Sequence, residues 1–418
     1  MPEPGPCTSS SGLERRGLGS LTEQETSGRR ALVRVDFNVP LEGEGDARRV
    51  TSDARIRAAL PTIGELQARG VTIILASHLG RPGGHPDPEL SLKPVAARLE
   101  VLLDRRIAFL TEPFDDRKVD LVRNVKEGQI FLLENLRYEA GESANDPEFA
   151  RRLAAYGDLF VQDAFGTCHR RHASTVGVTE HLHPCVAGAL VETELAAFAR
   201  LLDPDPPFIA VLGGAKVAGK LETVRGLVAR CERVCLGGGM ANTFLLAQGR
   251  EPGDSLVEED RVDEASALLE EHPETLILPL DAVVARAIET GAERRVVSID
   301  RVEPGWKILD IGPETVRAFE VELRRGRSVF WNGPLGMFET PPFDAGTRAI
   351  AQALADATAN GAYAVAAGGD SIAALEAAGL ADQVSHVSTG GGAALDLVSG
   401  KTLPGVDALD SATICGPI

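Results

Sequence analysis

FIAVLGGAK, residues 208–216, reads as an apolar strand that ends in two glycines. A strand that passes through glycine into a helix turns backbone N–H groups outward. Those groups, with the helix dipole, attract phosphate. The pattern recurs in VCLGGGM (234–240), YAVAAGGDS (363–371) and HVSTGGGA (386–393). One such turn is weak evidence, since glycine serves any tight strand-to-helix connection. Four in one half of the chain, each on the carboxyl side of its strand, describe the crevice where open α/β sheets bind nucleotides. The second half therefore reads as a nucleotide domain.

Outward from this stretch, strand and helix patterns alternate. ALVRVDFNV (31–39), VTIILAS (71–77), IFLLENL (130–136) and DLFVQDAF (158–165) read as strands; 53–69 and 91–103 have helical spacing. That is the βαβ rhythm of a parallel sheet. The expected fold class is α/β, with two Rossmann-like parallel-sheet domains. A helix over 191–202, followed by the proline-rich DPDPP (203–207), would form a hinge between them. Residues 29–187 form the expected first domain and 188–401, with the hinge helix, the second. Residues 1–28 read as a disordered extension by composition. The segment 402–418 is expected to return to the first domain.

The 418 residues carry a formal charge of −18, which argues against nucleic acid or an anionic membrane as partner. Any site for an anionic substrate must then be a local cluster of cations. Most of the positive charge is arginine. A GC-rich genome accounts for that, and salt adaptation is the sharper reading. No apolar run is long enough for a transmembrane helix, and the N-terminus lacks the apolar core of a secretory signal. Six scattered cysteines fit a reduced, cytoplasmic protein. Cys231 and Cys235 lack the histidines that would make them a zinc site.

The first half carries polar and cationic residues at its strand ends. Asp36 and Asn38 share one side of RVDFNVP by period two. SHLGRPGG offers His78 and Arg81, LLENLRYEAGE offers Arg137, and DAFGTCHRRHAS offers His169, Arg170, Arg171 and His172. Arg55 and Arg57 lie on the helix after the first strand. An isolated loop arginine is ordinarily solvated, and His85, His181, His183 and His272 read as surface residues. The series at successive strand ends is what counts. In a parallel sheet these loops converge on one edge, and arginine forks suit carboxylate and phosphate. A basic pocket for a small, multiply charged anion is expected.

In this order, RVDFNVP, SHLGRP, ENLRYEAGE, DAFGTCHRRHAS, LGGAKV, GGGMANTF, DIGPET, WNGPLGMFE, GGDS and HVSTGGGAALDL resemble the phosphoglycerate kinase family, over residues 31 to 409. The resemblance implies a two-domain, hinge-bending kinase and a monomer. It implies transfer of phosphoryl between ATP and 3-phosphoglycerate, giving ADP and 1,3-bisphosphoglycerate, with Mg²⁺ as cofactor. By the same resemblance, Asp36, Asn38, Arg55, His78, Arg81, Arg137, His169 and Arg170 bind the triose. Gly213, Gly214, Gly237 and Gly238 line the adenosine groove, and Pro334 and Glu339 contact base and ribose. Lys216 and Lys220 reach the phosphates. Gly368, Gly369, Asp370 and Ser371 seat them, with Asp370 on the metal, and Gly390, Gly391 and Gly392 cradle the transferring group. Arg55, Lys216, Gly390 and Gly391 are the expected catalytic set. Cys168, Gly219 and Ile308 depart from the family's commoner residues, and Ile308 puts the shape of the adenosine groove in question.

A carboxylate nucleophile is already ionised at neutral pH, so this chemistry needs no general base. It needs positioning and cations around the three equatorial oxygens of the phosphoryl group. Two half-sites on separate domains would have to close on each other, which also expels water. Three rival readings are weaker. GAKVAGKL (214–221) has P-loop spacing but places Leu221 where Ser or Thr is needed. No G-x-G-x-x-G motif supports a dinucleotide enzyme. A silent, ATP-binding paralogue would be expected to lack a charged site residue, and all are present.

Overall fold

The computed structural model describes residues 13–111, 116–125, 127–217 and 219–412. The chain divides into two compact units, Met1–Ala196 with Thr402–Ile418, and Ala197–Lys401. The division falls within the helix Ala189–Leu202.

In the first unit, six strands form one sheet: β1 (Arg30–Val35), β2 (Thr72–Ala76), β3 (Ala108–Leu110), β4 (Ile130–Leu133), β5 (Leu159–Asp163) and β6 (Cys185–Ala187). Their order is β3-β4-β2-β1-β5-β6, and every pairing is parallel. All five residues of β2 and of β5 are buried, as in sheets covered on both faces. Parallel pairing brings the carboxyl ends of β1, β2, β4 and β5 to one edge. The helical spacing over 53–69 is realised as two helices, Ala54–Ala58 and Leu60–Ala68. Pro61 sits in the first turn of the second, where a missing N–H costs nothing.

Residues 13–28, expected to be disordered, are instead folded, while residues 1–12 lie outside the described residues. Arg16 N–H donates to Asp410 O at 2.7 Å, and Arg16 O accepts from Ala187 N–H at 2.8 Å. Leu18 and Leu21 are buried in the core of this unit. Two leucines spaced to face one core outweigh the Gly- and Ser-rich composition around them.

In the second unit, β7 (Phe208–Leu212), β8 (Arg233–Leu236), β9 (Leu276–Ile277), β13 (Ser328–Asn332), β14 (Tyr363–Ala367) and β15 (His386–Ser388) make a parallel sheet in the order β9-β8-β7-β13-β14-β15. The chain leaves β7 toward β9, then returns beside β7 at β13 and continues the other way. That reversal is the switch point where α/β sheets bind ligands. Trp331, Phe319, Ile350 and Leu354 lead its core. A second sheet went unread in the sequence. It is antiparallel, β11-β10-β12, from β10 (Asp281–Ala285), β11 (Arg294–Ser298) and β12 (Lys307–Ile311). Its edge strand RRVVS is largely exposed and carries no long apolar run.

Candidate functional site

Arg34 organises the cationic edge of the first unit. It lies within β1, 1 % exposed, in a run of otherwise apolar residues. Its Nε donates to Ser174 Oγ at 2.8 Å, and Ser174 Oγ donates in turn to Glu142 Oε1 at 2.6 Å. Ser174 N–H reaches the other Glu142 oxygen at 3.0 Å. Glu142 is fully buried, so a charge of each sign is held inside the protein with hydrogen bonds between. Removing one member of such a set leaves the other uncompensated, at about 3–5 kcal/mol.

From Arg34 the network passes outward. Arg34 Nη2 lies 3.1 Å from His78 Nδ1. Burial, then the charges of Arg34, Arg137, Arg170 and Arg55, press His78 well below the usual imidazole range. His78 is therefore neutral and accepts from Arg34. Asp36 follows β1, accepts from Arg55 Nη1 at 2.7 Å, and lies 3.9 Å from His78 Nδ1. Asn38 Oδ1 accepts from Gly80 N–H at 2.9 Å, and Arg137 Nη1 donates to Gly80 O at 2.6 Å. The turn SHLGRP is thus pinned from β1 on one side and from the loop after β4 on the other.

Arg81, Arg137, Arg170 and His172 line a cavity of about 560 Å³, with Gly83, Gly84 and Glu139. Burial and the neighbouring arginines lower Arg137 to about 10, so it stays charged at neutral pH. His172 is lowered to about 4 by burial first, then by Arg137, Arg34, Arg170 and His169. Arg170 Nε contacts His169 Nε2 at 3.1 Å. Asp36, Asn38, Arg55 and His78 join this cavity through the network, not as its walls. Arg34, Glu142 and Ser174 were not singled out in the sequence. The signal was present in ALVRVDFNV, as an arginine inside an otherwise buried strand.

In the second unit the strand-end glycines fall into two kinds. At Gly213 an added Cβ would stand 2.1 Å from Pro334 O, and at Gly238 (φ +65°) 2.8 Å from Gly214 N. Gly214 N–H donates to Pro334 O at 2.8 Å, and Met240 N–H to Gly214 O at 3.0 Å. The loops after β7, β8 and β13 therefore touch backbone to backbone, and only glycine permits it. Gly237 belongs to the same contact, where a Cβ would meet Leu335. By contrast, a Cβ at Gly369 would meet nothing within 4 Å, and at Gly391 nothing closer than 3.9 Å. These two begin the helices Gly369–Ala377 and Gly391–Val398, capped by Gly368 and Gly390. Space is therefore open beside both helix starts, and the first-turn N–H groups of a helix have no partner within it, as an anion seat requires.

Lys220 Nζ donates to Gly213 O at 2.9 Å and is half-buried, with its pKa lowered by burial against the opposing pull of Asp370. Lys216 and Asp370 are exposed. Ser371, expected at the phosphate seat, is fully buried, and its hydroxyl accepts Gly333 N–H at 2.7 Å. Pro334 supplies the carbonyl just described, while Glu339 is exposed on the following turn. Ile308, half-buried, lies in β12, where its N–H donates to Ser255 Oγ at 2.8 Å. Gly219 has φ +78°, and a Cβ added there would meet nothing within 4 Å, so backbone conformation accounts for it. Cys168 is buried and its carbonyl accepts Gly405 N–H at 2.8 Å. No helix among the described residues is long and apolar enough to cross a membrane.

The family model described as phosphoglycerate kinase matches residues 21–401. The chain is 50% identical over 402 residues to the phosphoglycerate kinase of Chloroflexus aurantiacus, covering 94% of this chain and 99% of that one. It is 49% identical over 404 residues to that of Synechococcus elongatus, covering 96% and 100%. Among solved structures, phosphoglycerate kinase from Coxiella burnetii superposes with a TM-score of 0.80 at 38% identity, over 94% of this chain and 98% of that one. The enzyme from Pyrococcus horikoshii OT3 gives 0.81 at 31% identity with the same coverage. A cationic strand-end cavity in one unit, open helix starts at a switch-point sheet in the other, and matches over nearly the whole length agree: the chain belongs to the phosphoglycerate kinase family.

Proposed function

We propose that the chain catalyses reversible phosphoryl transfer between ATP and the carboxylate of 3-phosphoglycerate, giving ADP and 1,3-bisphosphoglycerate, as a monomer. The carrying observation is the cavity walled by Arg81, Arg137 and Arg170 in a chain of net charge −18. Cations concentrated there against the overall charge serve a small anion. The neutral imidazoles of His78 and His172 fit the chemistry, because an ionised carboxylate needs no base. Their part is to hold the arginines and the Asp36 turn in place.

On this reading Arg81, Arg137, His169 and Arg170 hold the triose phosphate. Asp36, Asn38 and His78 fix the glycerate end, and Arg55 reaches from Asp36 toward the carboxylate. Gly213, Gly214, Gly237, Gly238, Pro334 and Glu339 shape the adenosine groove. The N–H groups at Gly369–Ser371, Gly391 and Gly392 receive phosphate oxygens, while Gly390 N–H donates to Ser388 Oγ at 3.1 Å and so shapes the turn instead. Lys216 is placed at the transferring group and Lys220 near it. Mg²⁺ fits Asp370, an exposed carboxylate in the first turn of a helix, since Mg²⁺ is held by one or two carboxylates plus substrate phosphates. When bound, the ion would neutralise phosphate charge.

Arg170→Ala tests the assignment. It should raise KM for 3-phosphoglycerate by roughly 10-fold or more, the worth of one charged hydrogen bond, and leave ADP affinity unchanged. An unaltered KM would remove Arg170 from the triose site.

A further inference from the structure

A second cationic cavity, of about 700 Å³, opens elsewhere on the first unit. Its walls are the segment Arg48–Asp53, Arg57 on the helix Ala54–Ala58, and Pro94, Ala97 and Arg98 on the helix Lys93–Leu103. Four arginines face one lining carboxylate. Asp53 takes Arg57 Nε at 2.9 Å and Arg98 Nη2 at 2.5 Å, so one acid is shared by two guanidinium groups. Hydrogen bonds from Arg57 and Arg98 lower its pKa from the ordinary carboxylate value. Arg48 pairs with Glu89 at 2.9 Å and donates from Nε to Gly43 O at 3.2 Å. Arg49 is exposed and makes no ion pair among the described residues. Counting Glu89, four positive charges meet two negative ones.

We propose that this cavity binds a small polyanion bearing two or more phosphate groups. Arg49, exposed and without an ion pair among the described residues, and the surplus of positive charge in the lining attract an anion. Forks presented from three chain segments suit several phosphate oxygens at once, and the volume exceeds what a single phosphate fills. None of Asp36, His78, Arg81, Arg137 or Arg170 lines it, so the site is separate from the triose cavity. The helix Ala54–Ala58 connects the two, because Arg55 on it pairs with Asp36 while Arg57 faces this cavity. A polyanion that draws Arg57 from Asp53 therefore acts on the segment that carries Arg55.

Calorimetric titration with inorganic pyrophosphate, without Mg²⁺ and with saturating 3-phosphoglycerate and ADP, tests this. One pyrophosphate per chain is expected, weakened at least 10-fold in Arg49→Ala/Arg57→Ala and falling steeply with salt. Arg49→Glu alone, at an exposed position, should weaken it too and guards against a folding defect. The proposal is overturned if the wild-type chain binds none under these conditions. It is also overturned if the substituted chains bind as tightly, or if Arg170→Ala is what abolishes binding.

Discussion

Gly213→Ala and Gly369→Ala add the same methyl group at two strand ends of one sheet, with opposite expected results. At Gly213 the new Cβ would stand 2.1 Å from Pro334 O and 2.7 Å from Gly333 O. Both are backbone atoms, so neither can rotate aside. A relaxed carbon–oxygen contact is about 3.3 Å, so the loops after β7 and β13 must part by roughly 1 Å. Overpacking costs about 1–3 kcal/mol, and a backbone clash belongs at the upper end. For a unit of this size, 3 kcal/mol lowers Tm by roughly 6–12 °C. At Gly369 nothing lies within 4 Å and φ is not positive, so alanine should hold or raise stability, by up to about 1 kcal/mol. The methyl instead crowds a phosphate bound at the proposed seat at this helix start. Gly369→Ala should weaken ADP at least 10-fold and leave adenosine unchanged. Differential scanning calorimetry with ADP and adenosine titrations checks both halves. Wild-type ADP affinity in Gly369→Ala would refute the phosphate seat, and wild-type stability in Gly213→Ala would refute the backbone-contact reading.

Other outcomes follow from the same structure. Glu142→Ala leaves the buried Arg34 charge uncompensated and should cost about 3–5 kcal/mol in urea unfolding; a loss under 1 kcal/mol would show that Arg34 does not depend on it. Because His78 and His172 are harder to protonate folded than unfolded, the unfolded chain takes up protons first as pH falls. Their contribution is complete above about pH 6.5 and for His172 is lost on the way down to about 4. Urea midpoints should fall across that window, less so in His172→Gln, and equal slopes in the two chains would contradict the assignment. Lys216→Ala should lose turnover far more than ATP affinity; collapse of ATP binding with normal residual turnover would place this lysine in binding alone.

The sequence exposed most strands of the parallel sheets because they read as apolar runs ending in glycine or a charged turn, as FIAVLGGAK and YAVAAGGDS do. Ala108–Leu110, Cys185–Ala187, Leu276–Ile277 and the buried Ser328–Asn332 were not read as strands. The antiparallel sheet escaped because RRVVS is mostly exposed and Lys307–Ile311 mixes charged with apolar residues, its first two only half-buried. The strand-end cations were legible one by one. Their interior support was not: Arg34 lies more than a hundred residues before Glu142 and Ser174 in the chain, and only the fold joins them. Glycine by itself does not distinguish backbone contact, as at Gly213, from open space, as at Gly369. That difference lies in Gly333 and Pro334, contributed by the loop after β13, more than a hundred residues downstream.

The central claim is transfer to the triose carboxylate, and the direct measurement is ADP formation from Mg-ATP by the purified chain with and without 3-phosphoglycerate, over a salt series. ADP formation is expected to depend strictly on 3-phosphoglycerate and to be lost with Lys216→Ala. ATP binding without phosphoglycerate-dependent turnover at any salt concentration would contradict it.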